Sequence, residues 1–311
     1  MKNRLLLLIL PVLLLAACKK EQGNFNKAGL TLFQTIKTDS QLTLYRAALT
    51  RAGMFDDAVF GNGPFTVFAP VDSALINAGL TKDIINGYDT ATLAGILRYA
   101  MVYGRIGSAS LIGFYSQDVL SLNTSYQPRL TKNYYGIFLD GIALVKNGSF
   151  ELGDGVLHKM QRLPHPPAGN LMELIGSSPD LSYYAAAINH IGWDFSGAPN
   201  TGQTDDNGKY YTLFAPTNEA FIKFGFPDID AINNSDVSQM QNWITNFRLY
   251  GKLFTSGFLG GYSFVYQYYY VQADGLTIIT AGNLYPTHII RPDVVATNGV
   301  LQVVDQFYLT R

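Results

Sequence analysis

The sequence predicts an α+β fold used twice in tandem, on three observations. A block of about a dozen residues recurs one domain-length further along, each copy follows helical apolar spacing and precedes short strand-like runs, and a length of 311 residues suits two ordinary domains. Hydrophobic residues make up 48% and aromatics 13%, while charged residues reach only 14% against a usual share of roughly 25%. That balance disfavours disorder and coiled coil. Lys and Arg number 22 against 23 Asp and Glu, a net charge of -1 that leaves no broad positive field for a polyanion, so nucleic acid is excluded as an expected partner. Polar character comes instead from 20 tyrosines, 30 glycines and many hydroxyl and amide side chains.

The elements follow in chain order. Lys2 and Arg4 form a positive start, Leu5 to Leu15 is an apolar run containing Pro11, and Ala16, Ala17 and Cys18 follow, the layout of a secretory signal. The run is shorter than the roughly 20 helical residues that span a bilayer. Leu15-Ala16-Ala17-Cys18 resembles the bacterial lipobox, which implies removal of residues 1–17 and acylation of Cys18, the only cysteine. Lys19 stands where, in the sorting rule this resembles, an aspartate would mark inner-membrane retention, so a lipid-anchored outer-membrane protein is expected, on the surface or the periplasmic side. Residues 18–27 read as a tether, of which Lys19 to Lys27, at roughly 3.3 to 3.6 Å per residue, reach about 30 Å.

Residues 28–164 read as the first domain, 165–169 as a proline-rich linker and 170–311 as the second domain. Leu32 to Ile36 and Leu44 to Leu49 carry apolar residues three and four apart, as do Leu171 to Ile175 and Tyr184 to Ile188, so both pairs are expected helices. Next comes the repeated block, Gly63-Pro64-Phe65-Thr66-Val67-Phe68-Ala69-Pro70-Val71-Asp72 in the first copy and Lys209-Tyr210-Tyr211-Thr212-Leu213-Phe214-Ala215-Pro216-Thr217-Asn218 in the second. It reads as a buried strand stopped by proline, then a helix that Asp72 or Asn218 caps. Helices are expected over Leu93 to Val102 and Met240 to Leu249, ending at Gly104 and Gly251. Strands close each unit: Gly136 to Lys146 and Gly155 to Met160, then Tyr262 to Gln272, Leu276 to Thr280 and Gly299 to Val304. Three prolines over Leu163 to Gly169, Pro164, Pro166 and Pro167, favour a stiff connection and a compact two-lobed shape.

Thr66-Val67-Phe68-Ala69-Pro70 and Thr212-Leu213-Phe214-Ala215-Pro216-Thr217-Asn218-Glu219-Ala220-Phe221 resemble the first signature block of fasciclin domains. Val295-Ala296-Thr297-Asn298-Gly299-Val300-Leu301-Gln302-Val303-Val304-Asp305 resembles the second, with Gly153-Asp154-Gly155-Val156-Leu157-His158-Lys159-Met160 as its weaker counterpart in the first copy. The resemblance implies two fasciclin-like domains, each a β-wedge or sandwich flanked by helices, and an association with cell adhesion and with matrix or glycan binding rather than catalysis. The family's usual Tyr-His pair falls here at Tyr99-Ala100 and Asn246-Phe247.

Chemistry-bearing patterns are sparse. The four histidines, His158, His165, His190 and His288, lack zinc spacing, and no cofactor or metal site is expected. No Gly-x-Ser-x-Gly elbow is present, and Asp56-Asp57 and Asp205-Asp206 are adjacent pairs that point apart along an extended chain. Asp205-Asp206-Asn207-Gly208 lacks the closing glutamate of a calcium loop and reads as a tight turn. Tyr266, Tyr268 and Tyr270 fall on one face of a strand by their period of two, and Tyr134 and Tyr135 raise the same possibility of rings offered to a sugar or a protein. The expected function is therefore a non-enzymatic envelope lipoprotein for adhesion or for glycan or protein binding. The alternative is a structural lipoprotein of an outer-membrane glycan-uptake complex with no ligand of its own.

Overall fold

The structure, a computed structural model, describes residues 29–111, 113–264 and 269–307. Cys18, with the expected signal and tether, lies outside the described residues, and so do Tyr266 and Tyr268. In the first copy β1 (Phe65–Pro70), β2 (Met101–Tyr103), β3 (Tyr115–Asp118), β4 (Arg129–Asn133), β5 (Gly136–Leu139), β6 (Ile142–Glu151) and β7 (Gly155–Met160) form one sheet in the order β2-β1-β7-β6-β5-β4-β3. In the second, β8 (Tyr211–Pro216), β9 (Arg248–Tyr250), β10 (Tyr262–Phe264), β11 (Tyr269–Val271), β12 (Thr277–Thr280), β13 (Thr287–Ala296) and β14 (Gly299–Val304) run β9-β8-β14-β13-β12-β11-β10, the same order. Each fold is thus α+β, a curled seven-stranded sheet flanked by helices.

The repeated block supplies the centre of each sheet. Strand β1 runs parallel to β7, pairing Phe65 with Gly155, and β8 runs parallel to β14, pairing Tyr211 with Gly299. Every residue of β1 is buried, which is why this segment reads as a continuous apolar run instead of an alternating one. Helices cover one face: Leu32, Ile36, Tyr45 and Leu49 pack with Val67 and Leu157 in the first copy, as Leu171, Ile175, Tyr184 and Ile188 pack with Leu213 and Leu301 in the second. The long strands β6 and β13 each break register midway, where Asn147 and Asp293 adopt φ of 57° and 61°. Such bulges bend a strand and curl its sheet.

Several local expectations change. Asp72 does not cap the helix it opens, Asp72–Asn77, whose N-cap is Val71; its Oδ1 accepts from Leu44 N at 2.8 Å, in the first turn of Thr43–Arg51. Asn218 does the same for Tyr183 N at 2.9 Å, in the first turn of Ser182–His190. Both recipient helices have a leucine at the N-cap and no side-chain cap of their own, so an orphan donor is met from a distance. The middle helices stop at Tyr99 and Thr245, because the next residues are drawn into β2 and β9 beside the corner strands. Gly104 and Gly251 end those strands instead, at φ of 90° and 96°, donating to Pro64 O and Tyr210 O.

The run Gly136 to Lys146 is two strands joined at Asp140-Gly141, whose positive φ values of 47° and 76° suit a two-residue hairpin. Tyr262 to Gln272 is likewise a hairpin and not one strand: β10 and β11 are antiparallel, with Ser263 opposite Tyr270. Asp206–Lys209 forms a single helical turn capped by Asp205 where a tight turn was expected.

Candidate functional site

The two copies meet where residues 252–260 of the second lie along β3, β4 and the loop after β4 of the first. At one end, register pairs Asp118 of β3 with Arg129 of β4, and the Arg129 Nε donates to Asp118 Oδ1 at 2.7 Å. Across the junction Arg129 Nη1 also pairs with Asp206, and Lys252 Nζ lies 3.4 Å from both Asp118 oxygens and 4.5 Å above the Tyr210 ring. Burial works to raise the Asp118 carboxyl, but Arg129 and Lys252 outweigh it and hold it below the usual carboxylate range. Burial likewise works against the Arg129 charge, and Asp206 and Asp118 override it. The Tyr210 hydroxyl is pushed up by burial and then by Asp118.

Beneath this pair lies Asp140, which accepts from the Tyr99 hydroxyl at 2.7 Å and from Arg129 N at 2.8 Å. Burial raises its carboxyl to about 6, against the hydrogen bonds that favour the ion. Further along, Asp293 accepts from Thr255 N at 2.8 Å, Thr255 Oγ1 at 2.6 Å and Gln302 Nε2 at 3.0 Å, and Arg162 reaches it from the first copy at 3.2 Å. A side chain on Gly141 would collide with the Asp293 carboxylate, so only glycine allows that approach. Asn133 Nδ2 donates to Ser256 O at 2.7 Å.

Of the tyrosines singled out in sequence, the three among the described residues, Tyr134, Tyr135 and Tyr270, converge on the far end of this junction. Tyr134 and Tyr135 form the two-residue loop between β4 and β5, with rings edge to face at 5.7 Å. Tyr134 is 90% exposed, Tyr135 55% and Tyr270 43%, whereas Tyr269 and Val271 on the opposite face are buried. The hydroxyls of Tyr135 and Tyr270 abut consecutive glycines, Gly260 and Gly261, where any side chain would meet them. Tyr262, 47% exposed, adjoins through Gly261 and stands 5.9 Å from Phe258.

The remaining candidates have structural roles. His158 is buried and bonded to Ile106 O at 2.8 Å, His190 to Ser235 O at 2.9 Å, and His288 to Asp305 at 3.0 Å. Among the described residues no group of three or more His, Cys, Asp or Glu could hold a metal ion, and no helix is long and apolar enough to cross a membrane. A groove of about 400 Å³ beside Thr43–Arg51 holds two guanidiniums, but Arg46 donates to Ile36 O and Lys37 O, and Arg51 to Tyr88 O, tying helix ends together.

Asp118, Arg129, Asp206, Lys252 and Asp293 were not read from the sequence as a group. Their partners across the junction lie 77 to 134 residues away, and no local pattern marks them. The hairpin that places Asp140 did have a signal, Asp-Gly between apolar runs.

A duplicated helix-flanked sheet whose copies share a polar junction defines a tandem α+β two-domain protein. The chain belongs to the fasciclin-domain family, whose domain model matches residues 40–163 and 197–309. It is 24% identical over 259 residues to transforming growth factor-beta-induced protein ig-h3 of Sus scrofa, covering 80% of this chain and 35% of that protein. It is 26% identical over 266 residues to periostin of Homo sapiens, covering 82% of this chain and 29% of that one. The chain therefore spans about a third of the length of these relatives. Among solved structures it is similar to the FAS1 domain pair of the insect cell adhesion molecule fasciclin I, at 12% identity and a TM-score of 0.36, covering 86% of this chain and 95% of the other.

Proposed function

We propose that this protein is a non-enzymatic binding protein of a bacterial outer membrane, held there by lipid on Cys18, that engages an extracellular or envelope glycan or protein through the tyrosines at its domain junction. Fasciclin domains occur in cell adhesion proteins, which supports an adhesive or binding role. The observation that carries the reading is the convergence of Tyr134, Tyr135 and Tyr270, from both domains, on the exposed surface around Gly260 and Gly261. Tyrosine rings with one face in solvent offer rigid contact area and a polar tip, at little cost in side-chain entropy. The lipobox-like run at Cys18 supports the anchor, because more than one acyl chain gives stable membrane attachment.

The test is binding of the purified chain to arrayed oligosaccharides and to immobilised matrix proteins, with Tyr134→Ala and Tyr270→Ala variants. Loss of about tenfold or more in affinity in the double variant is expected. Equal binding by variant and unsubstituted chain would exclude the patch, and turnover of a small substrate abolished by one substitution would exclude the non-enzymatic reading. Mass spectrometry of the N-terminal peptide tests lipid on Cys18.

A further inference from the structure

At the opposite end of the junction from the tyrosine loop, the two domains and the linker line a polar, half-open cavity of about 230 Å³. Tyr99, Asp118, Tyr126 and Gln127 line it from the first domain, Tyr210 and Lys252 from the second, and Pro167 from the linker. We propose that this cavity binds one neutral polyhydroxylated ring, a single sugar or cyclitol, at a site separate from the tyrosine patch.

Size, charge and unused hydrogen-bonding capacity argue for that ligand. A space of about 230 Å³ corresponds to seven or eight waters at roughly 30 Å³ each, room for one small ring. It is smaller than the roughly 300 to 1,000 Å³ of the mostly apolar pockets that take drug-sized molecules. Lys252 and Arg129 face Asp118 and Asp206, with Asp140 beneath them, so an anion would meet carboxylates and a cation would meet Lys252. A hydroxyl, which both donates and accepts, suits both.

Lys252 is the group with capacity to spare. Its side chain is only 7% exposed, yet its ammonium has Asp118 at 3.4 Å and the Tyr210 ring at 4.5 Å for partners, contacts that leave its three donors poorly satisfied as hydrogen bonds. Tyr99 donates its proton to Asp140, which leaves its own oxygen able to accept. Tyr126 adds aromatic surface for the C–H face of a ring, and the Gln127 amide, exposed at the rim, can take further hydroxyls.

Isothermal titration of the purified chain with glucose, galactose, mannose and inositol, and with glucuronate and glucosamine as charged counterparts, tests the assignment. Saturable binding of at least one neutral compound is expected, with Kd on the order of 1 mM. Gln127→Ala, at an exposed position the junction does not use, should weaken it several-fold, Lys252→Met about tenfold or more, and Tyr134→Ala not at all. The proposal is overturned by no saturable binding of any neutral compound up to about 50 mM, by tighter binding of either charged sugar, or by unchanged affinity in Gln127→Ala together with Lys252→Met. If Lys252→Met does not fold, Gln127→Ala alone decides. Failure here leaves the tyrosine patch untouched, since Tyr134→Ala reports on that site alone.

Discussion

His158 and Gln302 occupy the same place in the two sheets. His158 Nε2 donates to Ile106 O at 2.8 Å, and Gln302 Nε2 donates to Leu253 O at 3.1 Å, so each side chain from the last strand fastens the loop that leaves the edge strand. The same loops are held from the corner strands, where Thr66 Oγ1 accepts from Ile106 N and Thr212 Oγ1 accepts from Leu253 N. The histidine differs in being titratable. Burial lowers its pKa from 6.5 to about 4, the bond to Ile106 working the other way, and its Nδ1 has no partner. Above about pH 6.5 it is neutral in both folded and unfolded chains. As pH falls toward 4 the unfolded chain takes up a proton that the folded one refuses, so stability is lost across that window. His158→Gln keeps the donor and removes the titration. Between pH 7.5 and 4.5 the variant should lose about 2 to 3 kcal/mol less than the unsubstituted chain in denaturant melts, and equal losses would refute the assignment.

Asp140 has the opposite sign. Its pKa is raised from 3.8 to about 6 by burial, so the stability it contributes is complete below about pH 3.8 and disappears as pH rises through 6. Asn tolerates the left-handed backbone at this position and forms an equally good hairpin with Gly141. Asp140→Asn should therefore gain on the unsubstituted chain at pH 7.5 relative to pH 4.5, by about 2 kcal/mol. A difference between the two proteins that does not change with pH would remove Asp140 from the account.

Asp72 and Asn218 each cap a helix far from them in sequence. Loss of such a cap costs about 1 kcal/mol. Asp72→Ala and Asn218→Ala should each lower stability by that amount, while Asp72→Asn, which retains an acceptor, should cost little. Amide exchange would locate the effect in Thr43–Arg51 for the first variant and in Ser182–His190 for the second. Exchange that rises instead in the helices these residues open would restore the local-cap reading.

Arg129 joins Asp118 of its own domain to Asp206 of the other with a side chain only 7% exposed. Its removal leaves Asp118 poorly compensated, which for a buried pair costs roughly 3 to 5 kcal/mol before any discount; with Asp206 almost half exposed, about 2 kcal/mol is expected for Arg129→Met. The consequence should be uncoupling. Calorimetry should resolve two transitions in the variant where the parent has one, and scattering should show a broader distance distribution. A single transition at an unchanged temperature would show that the Asp293 contacts suffice.

The sequence made the duplication legible because the corner strand is buried on both faces and tolerates few residue types, so Thr66 to Pro70 and Thr212 to Pro216 remain alike. Strands β7 and β14 were readable to the residue for the same reason. Edges were not. Met101 to Tyr103 continues a helical pattern and becomes a strand only because β1 offers it a ladder, and Tyr262 to Gln272 alternates smoothly across a place where the chain turns back. The exposed tyrosines were visible as residues, but their meeting was not, since it depends on a docking of two domains held by isolated charges.

That meeting rests on two glycines. Gly260 and Gly261 have φ of 82° and 96°, values that L side chains rarely adopt, and their bare Cα atoms are where the Tyr135 and Tyr270 hydroxyls lie. Gly260→Ala adds backbone strain of about 1 to 3 kcal/mol and a methyl group in the space of the Tyr135 hydroxyl. Tyr135 must then swing outward, carrying Tyr134 from its edge-to-face position. If the patch is the binding surface, Gly260→Ala should weaken macromolecular binding about as much as Tyr134→Ala, although it removes no aromatic ring. Tyr135→Phe deletes the hydroxyl but leaves the ring Cζ 2.6 Å from the new methyl, so in the Gly260→Ala background it should relieve the clash only in part and restore only a fraction of the affinity. A Gly260→Ala variant that stays folded and binds as the parent does would separate the glycines from recognition and leave them a purely structural role.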